Sequence, residues 1–213
     1  MKKLLSVLLA LLFLVSPVAA GEWKTPPPQA QITPAEDTLE VLWEGETDLD
    51  MLKQVRIDIR RAVIDKKKVL AVTLLSPGGP VITSLEIARQ IKLAREKGLI
   101  VEIHGIALIA SGATFVLSAG TPGRRTISKY TFFLVHPPQA SNYGGATCLN
   151  VVPEPKDVQD KAINAILRIM RDMYIEFTKK SQEEVEKWLT CGNEVVGSGE
   201  LALSLGMADE VRE

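Results

Sequence analysis

Two residues at the ends of apolar segments carry side chains suited to acyl-transfer chemistry. Ser111 follows the apolar run 103–110 and precedes Gly112, whereas His136 directly follows the apolar segment 131–135. A serine hydroxyl within reach of a histidine that can take its proton is the arrangement of a nucleophile and its general base. Serine is also a favoured N-cap residue of helices. The sequence around Ser111 therefore allows two interpretations, a helix cap and a nucleophile.

A glycine-rich loop could supply the backbone donors that such chemistry needs. The loop "SPGG" covers residues 76–79, directly after an apolar run. Adjacent glycines such as Gly78 and Gly79 let the backbone adopt positive φ and bring N–H groups close to a ligand. With Gly112 behind it, Ser111 is arranged like a nucleophile beside its oxyanion donors. The second histidine, His104, lies inside an apolar segment, where we expect a hydrogen-bonded structural role.

The elements that must position these residues alternate between strand and helix. Continuous apolar runs predict buried parallel strands, and apolar residues every three or four positions predict amphipathic helices. The expected strands are 39–45, 69–76 and 99–105, and the expected helices are 47–67, 81–97, 111–119, 158–177 and 181–189. We expect Thr47 to cap the first helix, and Ser181 and Glu184 to form a capping box. The pattern predicts an α/β fold with a mainly parallel sheet, whose strand ends collect the functional groups.

The N-terminal residues have the pattern of a secretory signal. Lys2 and Lys3 precede an uncharged apolar run, and small residues end the segment at Ala20. We expect residues 1–20 to be a cleaved signal peptide, with an uncleaved anchor as the alternative. Residues 21–38 are proline-rich and are expected to form an extended leader, followed by one domain over 39–213. The expected location is therefore the periplasm or the extracellular space.

Charge and cysteine content exclude several classes of function. The formal net charge is −1, and it becomes −3 without Lys2 and Lys3, so nucleic-acid binding is not expected. We expect no cofactor and no metal site, because two cysteines and two separated histidines do not give zinc-ligand spacing. In an exported chain Cys148 and Cys191 can form one disulfide; two reduced, buried thiols are the alternative.

Three segments taken together resemble a known family. They are "SPGG" (76–79), "GIALIASGATFVLSAGTPGRR" (105–125) and "FLVHPP" (133–138). In order and spacing they resemble the proteolytic subunit of Clp protease and, more broadly, the Clp/crotonase superfamily, which includes the signal peptide peptidases. The resemblance extends over residues 39–211 and includes "GELALSLGMADEV" near the end. It implies repeated β-β-α units with a mainly parallel sheet and a long helix in the C-terminal half.

The resemblance implies roles for individual residues. Ser111 would be the nucleophile, and His136, 25 positions later, the general base. The backbone N–H groups of Gly78 or Gly79, together with that of Gly112, would form the oxyanion hole.

The third member of the catalytic set is where this sequence departs from the family. The resemblance places an aspartate near Trp188 or Leu189, and both are apolar. Glu186 or Asn193 could replace it, and we favour Asn193 because its amide oxygen can accept the imidazole proton; a water or a backbone carbonyl is equally suitable. The lysine base of signal peptide peptidases would correspond to Lys129 or Lys156, neither at a persuasive position.

The resemblance implies a serine peptidase, and the predicted signal peptide implies that it is exported. ATP is absent outside the cytoplasm, so we expect the enzyme to work without it. Its substrates would be peptides or unfolded protein, it would form homo-oligomers through the long helix, and no ATPase partner is expected. A Cys148–Cys191 disulfide would hold the peptide-binding region beside the site. The main alternative is a catalytically weak or inactive peptide-binding or assembly module, because the third member is missing. A less favoured alternative is an enzyme that handles acyl thioesters.

Overall fold

The computed structural model describes residues 36–142 and 145–213. The predicted signal peptide and most of the predicted leader lie outside these residues, and the first strand begins at Thr38. Within the described ranges, no helix has the length and apolar character needed to span a bilayer, and no group of three His, Cys, Asp or Glu side chains could hold a metal ion.

A mainly parallel sheet forms the centre of the domain. Its strands are β1 (Thr38–Glu44), β2 (Val69–Ser76), β3 (Ile100–Ala110), β4 (Arg125–Ser128), β5 (Phe132–Val135), β8 (Val195–Gly197) and β9 (Glu210–Arg212). The order β1-β2-β3-β4-β9 is parallel throughout. β5 also pairs in parallel with β3, and β8 adds to β5 in the antiparallel direction. The predicted α/β class with a mainly parallel sheet is confirmed.

The long strand β3 serves two neighbours in succession. Its first half pairs with β4 through Ile103–Gly105, and its second half pairs with β5 through Leu108–Ala110. Between the two halves Ala107 has a left-handed φ of 53°, and the hydroxyl of Thr131 donates to the carbonyl of Gly105 at 3.3 Å. The bend lets the sheet continue toward β5, so β3 and β5 end at the same edge.

Six helices are found in the described residues, and they pack around this sheet. They are α1 (Leu49–Ile64), α2 (Val81–Glu96), α3 (Ala113–Ser118), α4 (Val158–Thr178), α5 (Gln182–Trp188) and α6 (Gly199–Ser204). Side chains alternate between buried and half-buried along β2, and the buried ones join α1, α2 and α3 in one core. A separate hairpin of β6 (Gln139–Asn142) and β7 (Gly145–Cys148) follows the fifth strand.

Two helix starts differ from those expected from the sequence. The N-cap of α1 is Asp48, whose carboxylate accepts from the N–H groups of Asp50 and Met51 at 2.9 and 3.0 Å. Thr47, the expected cap, is fully buried instead. The expected helix 111–119 begins only at Ala113, with Gly112 as its N-cap. In both cases a neighbouring residue takes the capping position and leaves the hydroxyl residue for another contact.

Candidate active site

Three strands of the sheet end at the same edge, and their final residues bring the glycine loop and Ser111 together. Ser76 at the end of β2 lies opposite Ile109 of β3, and Ala110 of β3 lies opposite Leu134 of β5. The N–H of Ser111 donates to the carbonyl of Leu134 at 2.9 Å. Because Leu134 precedes His136 by two residues, the parallel register brings both predicted catalytic residues to one edge of the sheet.

Ser111 sits in a strained turn between a strand and a helix. Its φ is 52°, in the left-handed region, which costs a non-glycine residue about 1–2 kcal/mol. Its carbonyl accepts from the N–H of Thr114 at 3.0 Å and from the hydroxyl of Thr114 at 2.6 Å. A sharp strand-to-helix turn that leaves the serine side chain at the tip is the geometry of a nucleophile elbow.

The helix-cap interpretation of Ser111 does not fit this geometry. A serine that caps a helix has extended backbone angles, and its hydroxyl accepts from a helix N–H. Ser111 is left-handed, and no side chain among the described residues caps α3, so helix capping does not explain the strain at the Ser111 backbone.

Gly78 packs directly against the Ser111 turn. Its φ is 91°, and a Cβ added there would lie 2.6 Å from both the Ala110 carbonyl oxygen and the Ser111 Cβ. Its N–H donates to the hydroxyl of Ser76 at 3.1 Å. The backbone N–H of Gly78 is therefore already bonded within the loop.

Two buried hydroxyl groups support the glycine backbone from beneath. A Cβ atom added at Gly112 would lie 2.1 Å from the Ser84 Oγ. A Cβ atom added at Gly79 would lie 2.9 Å from the Thr47 backbone N. The hydroxyls of Thr47 and Ser84 are 2.6 Å apart, and the Ser84 hydroxyl donates to the Pro80 carbonyl at 3.0 Å. Only glycine allows this close approach, so the composition of both loops follows from packing around Thr47 and Ser84.

His136 has a backbone partner that defines its tautomer. Its Nδ1 lies 2.6 Å from the carbonyl oxygen of Pro137. A carbonyl oxygen can only accept, so Nδ1 carries the proton, and in the neutral ring Nε2 has the free lone pair. This is the tautomer that a general base requires. The half-buried ring is thus oriented by a main-chain group, one of the partners the sequence left open.

Asn193, the side chain favoured as a partner for His136, lies in the turn before β8. Both Asn193 and its neighbour Glu194 are exposed. β8 begins at Val195, which pairs with Val135, so Asn193 and Glu194 lie in the turn just before that strand, where the N–H of Asn193 donates to the Thr190 carbonyl at 3.1 Å. Sequence reasoning missed Glu194, because the register of a three-residue strand has no local sequence signal.

The other expected partners are occupied elsewhere. Glu186 lies on α5, accepts from Gln182 at 2.7 Å and pairs with Arg171 at 3.4 Å. Trp188 and Leu189 are buried in the core. Lys129 precedes the start of β5, whereas His136 follows the end of that strand. The Lys129 ammonium pairs with Glu213 at 3.1 Å. Lys156 lies in the segment before α4, where its N–H donates to Asp160 at 3.1 Å.

The two cysteines form a disulfide beside the site. Cys148 ends β7 and Cys191 lies in the loop before β8, with 5.9 Å between their Cα atoms. At the base of the hairpin, the N–H of Leu149 donates to the Pro138 carbonyl at 2.8 Å. The bond thus ties the hairpin that follows His136 to the loop that holds Asn193.

Comparison with known proteins identifies the same family across nearly the whole described chain. The family model described as Clp protease matches residues 40–213. The ATP-dependent Clp protease proteolytic subunit 2 of Bifidobacterium longum is 26% identical over 178 residues, covering 81% of this chain and 80% of the relative. Subunit 1 of Corynebacterium jeikeium is 28% identical over 123 residues, covering 58% of this chain and 60% of the relative.

Subunit 2 of the same Corynebacterium is 24% identical over 148 residues, covering 70% of this chain and 66% of the relative. The family match, the mainly parallel sheet and a serine elbow beside a histidine-bearing strand agree with one another. They support a serine peptidase-like function. The chain belongs to the Clp protease family.

Proposed function

We propose that this protein is an exported serine peptidase that cleaves peptides or unfolded segments without ATP, through an acyl-enzyme at Ser111. The observation that carries the proposal is the strained Ser111 turn, hydrogen-bonded to Leu134 of the strand that leads to His136. Such strain is retained where the surrounding structure over-determines it, and it clusters at functional sites.

In the proposed reaction His136 acts first as a base and then as an acid. Nε2 takes the proton of the Ser111 hydroxyl as Oγ attacks the peptide carbonyl carbon. The oxyanion that forms is bound by the N–H groups of Gly79 and Gly112, since Gly78 donates to Ser76. The imidazolium then protonates the leaving amine, and water hydrolyses the acyl-enzyme through the same histidine.

We assign the orientation of His136 to the Pro137 carbonyl. A neutral carbonyl holds the tautomer but stabilises the imidazolium less than a carboxylate does. Asn193 and Glu194 directly precede β8, the strand that pairs with Val135 beside His136, and each can be tested. If Glu194 adds charge stabilisation, Glu194→Gln lowers kcat and Asn193→Ala does not; the reverse result assigns the role to Asn193.

Two features support export. Residues 1–20 have the pattern of a signal peptide, and disulfides such as Cys148–Cys191 persist in oxidising compartments. An exported enzyme has no ATP, so we propose that no ATPase partner delivers its substrate. Fractionation of cells that express the full chain, with N-terminal sequencing of the product, tests the location and the cleavage site.

We further propose that the protein forms homo-oligomers. Ile169 on α4 and Ile82 on α2 are exposed large apolar side chains, and together with Leu85 and Met173 they line one groove between the two helices. Apolar surface of this kind is stabilised when another subunit covers it. Native mass spectrometry of the processed protein measures the subunit number directly.

The test of the proposed activity is labelling with a fluorophosphonate probe, which reacts with activated serines. We expect the folded protein to be labelled, Ser111→Ala to abolish labelling, and His136→Ala to slow it by about 10³-fold or more. Digestion of a mixture of unstructured peptides, read by mass spectrometry, then defines the cleavage preference. A folded protein that is neither labelled nor cleaves peptides would contradict the proposal and favour the peptide-binding module.

A further inference from the structure

A chain of two buried hydroxyl groups connects α4 to the backbone of Ser111. The phenol oxygen of Tyr174 lies 2.6 Å from the Thr114 hydroxyl, and that hydroxyl lies 2.6 Å from the Ser111 carbonyl oxygen. We propose that Tyr174 and Thr114 are positioning residues that fix the peptide plane between Ser111 and Gly112, and thereby aim the Gly112 N–H at the oxyanion. This inference rests on the proposed peptidase function.

The direction of the two hydrogen bonds follows from the chemistry of the groups. The Ser111 carbonyl can only accept, so the single hydroxyl proton of Thr114 points to it. The Thr114 oxygen must then accept its second bond from the Tyr174 O–H. Burial raises the pKa of the Tyr174 phenol above its usual range, so this donor keeps its proton in neutral and moderately alkaline solution.

Packing accounts for the aromatic ring of Tyr174, but it does not account for its hydroxyl group. The ring stacks on Phe115 with 4.0 Å between centroids and meets Trp188 edge-on at 5.9 Å. Phenylalanine could make both contacts. A buried phenol oxygen is unfavourable unless it is hydrogen-bonded, so the bond to Thr114 is the feature that distinguishes tyrosine from phenylalanine here.

The peptide unit that accepts the Thr114 hydrogen bond also contains the proposed oxyanion donor. The carbonyl of Ser111 and the N–H of Gly112 belong to the same planar trans peptide, and they point in opposite directions. Holding the carbonyl toward the Thr114 hydroxyl therefore also fixes the direction of the Gly112 N–H, which points to the opposite side of the peptide. Rotation of this plane misdirects the donor without moving the peptide-binding surface.

The prediction is a loss of turnover with little change in substrate binding. An oxyanion donor acts on charge that develops in the transition state, so its misalignment lowers kcat and leaves KM nearly unchanged. We expect Tyr174→Phe and Thr114→Val each to lower kcat and the labelling rate by about 10-fold or more, less than loss of a whole donor. Thr114→Ser keeps a hydroxyl and should restore most of the rate.

Ser118→Ala is the matched control. The Ser118 hydroxyl is also buried and donates to a carbonyl on α3, that of Thr114, at 2.6 Å, but it does not contact the Ser111 peptide. Its loss should leave kcat within about twofold of the unmodified protein. If Tyr174→Phe and Thr114→Val behave like Ser118→Ala, the inference is wrong even though the peptidase function stands.

A second readout separates this inference from the proposed function. Amide hydrogen exchange over residues 110–117 reports the stability of the turn whether or not the protein is a peptidase. We expect faster exchange there in Thr114→Val and Tyr174→Phe than in Ser118→Ala. Absence of probe labelling in the unmodified protein would contradict the peptidase function, and equal exchange in all three variants would contradict the positioning role.

Discussion

At the scale of single residues, the candidate site depends on backbone groups as much as on side chains. A main-chain carbonyl holds the tautomer of His136, and another main-chain carbonyl anchors the N–H of Ser111. The glycine loop contributes through its shape, because Gly78 leaves no room for a Cβ atom against the serine turn. Such sites respond strongly to small changes in backbone geometry.

Gly78→Ala is the sharpest test of this dependence. The added Cβ would meet the Ala110 carbonyl and the Ser111 Cβ at 2.6 Å, at a φ of 91°. We expect the labelling rate to fall at least about 100-fold and the free energy of unfolding to fall by about 2 kcal/mol or more. The control is Gly123→Ala, which has a φ of 81° and nothing within 4 Å of the added atom. Equal loss of labelling in both variants would contradict the close-packing argument.

His104 predicts a pH dependence of stability away from the site. Its Nδ1 lies 2.8 Å from the Thr126 hydroxyl. Burial, and next the nearby Arg212, lower the pKa of His104, while Glu210 opposes the shift. The unfolded chain therefore binds a proton more readily, and the free energy of unfolding decreases as the pH falls below about 6.5.

His104→Gln should remove this component. We expect a loss of at most about 1 kcal/mol between pH 8 and pH 5.5 in the unmodified protein, because the ring is only half-buried. Urea unfolding of both proteins at the two pH values measures it. A pH slope that is unchanged by the substitution would assign it to other groups.

At the scale of elements, local signals in the sequence predicted most of the fold. β2 and α4 have the predicted bounds to within one residue, whereas β3 begins one residue after the predicted start and continues five residues past the predicted end, to Ala110. The capping box of α5 is confirmed, since Ser181 Oγ and the Glu184 carboxylate accept from each other's N–H groups at 3.2 and 3.0 Å. Each of these features depends on residues close together in the chain, which is why sequence reasoning could find it.

The site itself was only partly predictable, because several of its contacts join distant segments. The contact of Thr47 with Ser84 and that of Thr114 with Tyr174 span 37 and 60 positions. Thr47 and Asp48 are both favoured N-cap residues, so the local signal does not decide which of them caps α1. The Pro137 carbonyl and the pairing of β8 likewise have no residue-type signature. The sequence predicted which residues form the candidate site, and the fold determines how those residues are supported.

The disulfide is the element-scale feature with the clearest measurable effect. It closes a segment of 43 positions, which in the chain-entropy model stabilises the folded state by about 4 kcal/mol. We expect the double variant Cys148→Ser, Cys191→Ser to lose stability of this order. Because the bond also tethers the hairpin after His136, the KM for peptides should rise several-fold while the small probe still labels Ser111.

Reduction of the unmodified protein provides the matched experiment. Dithiothreitol should lower its melting temperature toward that of the double variant and should have no effect on the variant itself. A melting temperature that does not respond to reduction would show that the bond contributes no stability.

At the scale of the whole molecule, one ion pair joins the middle of the domain's sequence to its C-terminal segment. The guanidinium of Arg125 on β4 is bonded to Asp209 just before β9, with Nε and Oδ2 at 2.9 Å and a second contact between Nη2 and Oδ1. Its Nη1 donates to the carbonyls of Ser118 and Phe177, at 3.3 and 3.0 Å. The C-terminal ends of α3 and α4 therefore meet at Arg125 on β4.

Asp209→Asn should weaken the whole domain. Arg125 is nearly buried, and removal of its charge partner leaves an uncompensated buried charge, which typically costs about 3–5 kcal/mol. We expect a single cooperative unfolding transition at lower urea concentration. The exposed pair of Glu210 with Arg212 at 3.3 Å is the control, since Glu210→Gln should change stability by less than about 1 kcal/mol.

The left-handed backbone of Ser111 lowers the stability of the folded protein, while the serine side chain is needed for the proposed activity. At a φ of 52° glycine has no steric penalty, whereas serine destabilises the folded state by about 1 kcal/mol or more. Ser111→Gly should therefore be inert toward the probe and yet melt at a higher temperature than the unmodified protein, while Ser111→Ala keeps the strain. Selection for thermal stability alone would favour glycine at this position, so under the proposed function the serine is present for its reactivity.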